Sequence, residues 1–269
     1  MGEREPEIEA RELPPEVAEL REQWAAEHER LDALWQPAID AHIEALALEV
    51  ETVIEKHKSI GDQTNVEISG EARPSAIWQL SGRCLAICRV VLHDLRGGFT
   101  SESVGSLRTL WEAAILLGAV TSEHEEELLR RWLADEDGAW VRPGQARDAV
   151  ERMEARQRER MREDGLELGR GMAEGGDHIY DLLSKPAHHR RGGFPETSRV
   201  DLRVFTYGPH PNAEVRAHYV DYAGQLIEMA LIFVIDGLAA LVGRAYVGEA
   251  LAPMQDRLER VRERFPLPG

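Results

Sequence analysis

A chain of 269 residues with 43% hydrophobic and 30% charged residues can bury one large core or two small ones, and is not disordered throughout. Its formal net charge of −17 disfavours non-specific binding to nucleic acid, because phosphates are repelled over most of the surface unless a local basic patch intervenes. Nearly all of the positive charge is arginine, since Lys56, Lys58 and Lys185 are the only lysines.

Residues 1–14 read as an acidic, solvated tail without the apolar run of a secretory leader. Pro14 and Pro15 open a long helix over 15–58. Its apolar stripe runs through Val17, Leu20, Trp24, Leu31, Leu34, Ile43, Leu46, Val50 and Val53, alternating three and four. Pro37 falls inside it and predicts a kink or a break near Gln36. Residues 59–74 read as a polar connection with Gly61, Gly70 and Pro74.

The core domain is expected over 75–243. A second helix puts Ile77, Leu80, Cys84, Cys88, Val91 and Leu95 on its inner face and ends at Gly97 and Gly98. Cys84 and Cys88 stand at i, i+4, a spacing that does not easily close a disulfide, so both are read as buried thiols in a reducing compartment. A third helix covers 103–120. Ser122 and Glu125 predict a capping box for a fourth, with Leu128, Leu129, Trp132 and Leu133. Residues 144–163 are highly charged, with Val150, Met153 and Met161 as a thin apolar stripe, and predict a peripheral helix.

Glycines at 165, 169, 171, 175 and 176 lead to a short helix around His178–Leu183 and then to a long irregular loop over 185–211. Val200, Leu202 and Val204 alternate there and could make one short strand. Asn212 caps the most apolar helix, 213–243. Glu228 and Asp236 interrupt its apolar run, which favours a core helix over a membrane span. A C-terminal helix and tail, 244–269, carries Met254, Leu258 and Val261. The expected fold is all-α: a helical bundle with a long N-terminal helix and one long irregular loop. The expected location is cytoplasmic, with no membrane association. The N-terminal stripe is too long for a small bundle to cover, which predicts a homodimer.

Two constellations could carry chemistry. Arg108 and Glu112 are the only charged residues between Val104 and Val120, and their spacing puts both on one face of an apolar helix. Charges buried there must be paired, to each other or to a residue such as Asp94, Glu228 or Asp236. They form either a structural ion pair or a charged pocket. The second is the basic run holding Tyr180, Ser184, His188, His189, Arg190 and Arg191, a local reversal of sign in an acidic chain. Arginine suits phosphate or carboxylate recognition, and histidine can serve as acid or base near neutral pH. His93-Asp94 superficially resembles the centre of an HD phosphohydrolase with His57 and Asp181 as further ligands, but no convincing ligand context surrounds it, so no metal is assigned. No P-loop, dinucleotide fingerprint, nucleophile elbow or zinc-binding cysteine set is present, and no cofactor is expected.

The motifs Arg-x-x-x-Glu (Arg108, Glu112) and Tyr-x-x-Leu-Ser-x-x-x-His (Tyr180, Leu183, Ser184, His188) resemble those of an uncharacterised family of bacterial helical proteins. That family is distantly similar to the HEPN superfamily, many of whose members resemble metal-independent ribonucleases of toxin and defence systems. The resemblance spans roughly 75–243 and implies Arg108, Glu112 and His188 as catalytic residues. It implies Tyr180, Ser184, His189, Arg190 and Arg191 as ligand contacts, with RNA as the substrate. The Arg-to-His spacing typical of HEPN nucleases occurs at Arg21–His28 and Arg203–His210, as often as chance supplies it. The alternative is a non-catalytic helical module that binds an anionic small molecule or a protein partner.

Overall fold

A computed structural model gives the structure of residues 15–64, 71–122, 124–134, 141–163, 212–243 and 256–267. These residues fold as an all-α bundle, and there is no strand among them. In chain order the helices are α1 (Pro15–Thr64), α2 (Ala72–Arg96), α3 (Thr100–Thr121), α4 (Glu126–Ala134), α5 (Pro143–Glu163), α6 (Ala213–Val242) and α7 (256–264). The tail 1–14, the short helix near His178, the strand at Val200–Val204 and the loop 185–211 lie outside the described residues.

The core is a four-helix packing of α1, α2, α3 and α6. Ion pairs Arg89–Glu51 and Arg96–Glu44 (2.9 Å) align α2 antiparallel to α1. A tight turn at Gly97–Gly98 then reverses the chain into α3. There the Gly97 N–H bonds the His93 carbonyl at 3.1 Å, the Phe99 N–H bonds the Asp94 carbonyl at 2.9 Å, and Gly98 takes a φ of 74° that favours glycine. Asn212 caps α6 as expected, its side-chain oxygen accepting from the Glu214 and Val215 N–H groups at 2.9 and 3.3 Å.

The inner face expected for α2 is buried at every position named: Ile77, Leu80, Cys84, Cys88, Val91 and Leu95. The stripe of α1 behaves differently along its length. From Ala38 to Ile60 it is buried, but Leu34 is 56% exposed. Arg216, in the first turns of α6, pairs with Asp32 at 3.1 Å and Gln36 at 2.8 Å, so the first turns of α1 run past the start of its partner helix. Nor does Pro37 break α1. Proline deprives the carbonyl four residues back of its donor, and both Pro37 and Ala33 are exposed, so water can serve that carbonyl. The helix also continues past Lys58 to Thr64, which corrects the connection expected from residue 59. Ile60 is completely buried there, and Gly61 lies so close to the Trp78 ring that a Cβ would collide with it. Burial overrides the polar composition that suggested a loop.

The capping box is also corrected. α4 begins at Glu126, and Ser122 closes the end of α3. Arg73, at the start of α2, donates to the Val120 and Ser122 carbonyls, each at 2.6 Å, and pairs with Glu126. One guanidinium thus supplies the donors that the last turn of α3 lacks and ties three helices together. Glu125 turns instead to α5, accepting from Arg152 at 2.9 and 3.1 Å with Arg156 at 3.7 Å, which holds its carboxyl below the usual range. α5 buries only Ala146, Ala149 and Val150 of its described side chains, against α3.

By length and composition, Ala72–Arg96, Ser103–Thr121 and Ala213–Val242 could each cross a membrane. In the bundle their apolar faces meet one another. Outward they present Gln79, Arg83, Arg89 and His93 with Val90 on α2, and Glu214, His218, Gln225 and Asp236 with Ile232 on α6.

Close approach of α3 to α6 depends on Gly118, where a Cβ would overlap the Phe233 ring. Gly118→Ala is expected to lower stability by about 1–3 kcal/mol through overpacking, read as a shift in the denaturation midpoint with unchanged slope.

Candidate functional site

The pair singled out by sequence exists. Arg108 Nε donates to Glu112 Oε1 at 3.0 Å within α3. It is not sealed, however, for the two side chains are 19% and 30% exposed. Gly105, Arg108, Thr109, Glu112 and Leu116 form the one stripe of α3 that the core helices leave partly open. Of the partners expected from other helices, Glu228 is taken by Arg262 of α7, and Asp94 lies beside His93 at 3.7 Å.

The stripe opens onto a cleft of about 410 Å³ between α2, α3, α4 and the start of α5. Thr109, Glu112 and Leu116 form its floor. Leu80 and Arg83 come from α2, Arg131 and Trp132 from α4, and Val141, Pro143 and Ala146 from the entry to α5. The cleft exists because α4 is short and splays from the core: Leu128 and Leu129 are buried, while Trp132 is only half-buried along one wall. Arg73 and Glu125 fix the α4 N-terminus from either side and so set the width of the opening.

The electrostatics of the cleft are uneven. Among the described residues, Arg83 and Arg131 have no ion-pair partner, whereas Arg73, Arg89, Arg96, Arg152, Arg216 and Arg262 all do. Two guanidiniums without an ion-pair partner thus share one concave surface with the Glu112 carboxylate and an apolar wall. Sequence reading passed over both. Arg83 carried one legible signal: no acidic residue stands three or four positions away on its helix. That Arg131 and Trp132 face it depends on how α4 packs.

Tyr180, Ser184, His188, His189, Arg190 and Arg191 lie outside the described residues. Among those described, no histidine lines the cleft. The histidines of the HD-like reading do not converge. His57 stacks on the Trp78 ring at 3.5 Å and 14°, with Nε2 at 3.2 Å from the Trp78 carbonyl. His93 lies roughly 22 Å further along α2 and is exposed. No cluster of three or more metal-ligating side chains occurs among the described residues.

The thiols are structural. Cys84 and Cys88 are buried and free, and burial pushes the Cys84 thiol up to about 12 and Cys88 higher still. Reaction with an aromatic disulfide reagent is expected to follow the rate of unfolding. Stoichiometric labelling within seconds in native buffer is the contrary result.

Comparison with known protein families, with characterised proteins and with solved structures finds no match for this chain.

Proposed function

We propose that this chain is a water-soluble, cytoplasmic helical module that binds an anionic ligand in the cleft between α2, α3, α4 and α5. The observation that carries this reading is the pair of unpartnered arginines, Arg83 and Arg131, lining one cleft with the half-buried Trp132 in an otherwise acidic protein. Arginine planes match phosphate and carboxylate oxygens two at a time, and the indole offers a face for a flat or apolar portion of the ligand. Thr109 and Glu112 on the floor can take hydrogen bonds from ligand hydroxyls or amines. Polar and charged side chains on the outer faces of α2 and α6, interspersed with Val90 and Ile232, support the soluble assignment.

Catalysis is the less supported reading. Arg108 is engaged with Glu112, and the cleft has no described histidine to move a proton. A ribonuclease activity would require His188 and its neighbours to complete the site.

The binding experiment is calorimetric titration with 5′-mononucleotides and a short single-stranded RNA at low salt. Wild type is expected to bind, and Arg83→Ala with Arg131→Ala is expected to weaken binding at least about tenfold, with a matching loss on raising salt. Equal affinity in wild type and double variant would remove the cleft from consideration. Metal-free cleavage of the RNA that disappears in His188→Ala would shift the assignment to a ribonuclease.

The same reading places a homodimer contact on the N-terminal half of α1, at Leu34, which is exposed beside the start of α6. Light scattering at micromolar concentration is expected to give twice the chain mass, reduced by Leu34→Glu. A monomer mass for wild type rejects the contact.

A further inference from the structure

The segment 256–267 closes over a groove between α1 and α6 whose floor is polar where a bundle core is ordinarily apolar. His42 and Glu49 of α1 are 5% and 2% exposed. Seven residues apart, they share one helical face. Asp221 and Glu228, also seven apart, stand on α6, and Arg257 and Arg262 come from α7. Most of these groups are satisfied. His42 Nε2 lies 2.8 Å from the Phe265 carbonyl, and Arg262 pairs with Glu228. Glu49 is the exception. Its Oε1 is buried without a hydrogen-bond partner among the described residues, and so is Nη1 of Arg257, which faces it across the groove. A buried carboxylate that no hydrogen bond reaches favours keeping its proton, and once ionised it must gain a donor or lose its cover.

We propose that Glu49 is a proton-operated latch for α7: protonated, it lies neutral beneath the helix, and ionised, it makes α7 lift so that water reaches the carboxylate. α7 is the element able to give way. Leu258 is its only buried side chain among the described residues, with Val261, Phe265 and Leu267 half-buried.

Burial and the neighbouring Glu228 carboxylate push Glu49 up to about 8 from an ordinary 4.5, against the opposing pull of Arg257 and Arg262. The closed state therefore holds the proton more tightly than the open one. Its added stability is complete below 4.5 and is lost as pH rises to about 8. Glu228 is raised by burial too and acts with the same sign. His42 acts oppositely: burial lowers it, so its contribution is complete above 6.5 and lost on acidification. Between 6.5 and 8 the histidine contribution changes little, and the raised carboxyls Glu49 and Glu228 govern α7.

The test is hydrogen exchange on the full chain at pH 6.5 and pH 8, with rates corrected for intrinsic exchange. In wild type, protection of the 256–264 amides is expected to fall about tenfold while α2 and α3 are unchanged. Glu49→Gln, the shape of the neutral acid without its proton, is expected to abolish the fall, and Glu49→Asp to keep it. A flat wild-type profile overturns the latch whether or not the variants fold. An equal fall in Glu49→Gln, or a loss spread evenly over all helices, overturns it as well.

Discussion

α6 buries 15 of its 30 residues, and a helix with so wide an inner face has to be covered from several directions at once. The rest of the bundle is arranged around that demand. α1, α2 and α3 each lie against it. Small residues let them come close: a Cβ at Gly224 would stand 3.3 Å from Leu46 of α1, and one at Gly237 3.0 Å from Ile77 of α2. α3 meets α6 where Gly118 receives the Phe233 ring. Side-chain volume at these points would push the neighbouring helices outward and expose apolar surface along the whole length of α6.

Where α6 does not reach, charge takes over from apolar contact. α4 and α5 are peripheral and bury few side chains, so their positions depend on Arg73 and Glu125. Each of these groups is substantially shielded and meets two or more partners, unlike the exposed pairs along α1, whose net value is small. An opening remains between elements fixed in this way, because α4, only nine residues long, does not close on α3 as a long apolar helix would. The cleft beneath Trp132 is that opening, and its two unneutralised arginines stand at its rim.

The same division separates two kinds of buried acid. Glu125 is held by arginines and stays ionised, while Glu49 sits under α7 without a donor and is pushed toward its neutral form. Both are largely enclosed glutamates. Their opposite behaviour follows from deep burial without a hydrogen bond at Glu49 and from the bonded Arg152 guanidinium at Glu125.

The sequence by itself determined the all-α class, the inner face of α2, the glycine turn after it, the Asn212 cap and the Arg108–Glu112 pair. Each of these depends on residues within one turn or one helical face, and such relations can be read from spacing alone. Tertiary structure decided the rest. It decided that α1 continues through Gly61 because Trp78 packs there, and that Glu125 serves α5 instead of capping α4. It also decided that Arg83 and Arg131, 48 positions apart, face one cleft and that Glu49 lies beneath a helix more than 200 residues away. Spacing along the chain carries no information about which helices meet. Such contacts are fixed only when the apolar faces are buried together, and then they set the environment of every charge left between them.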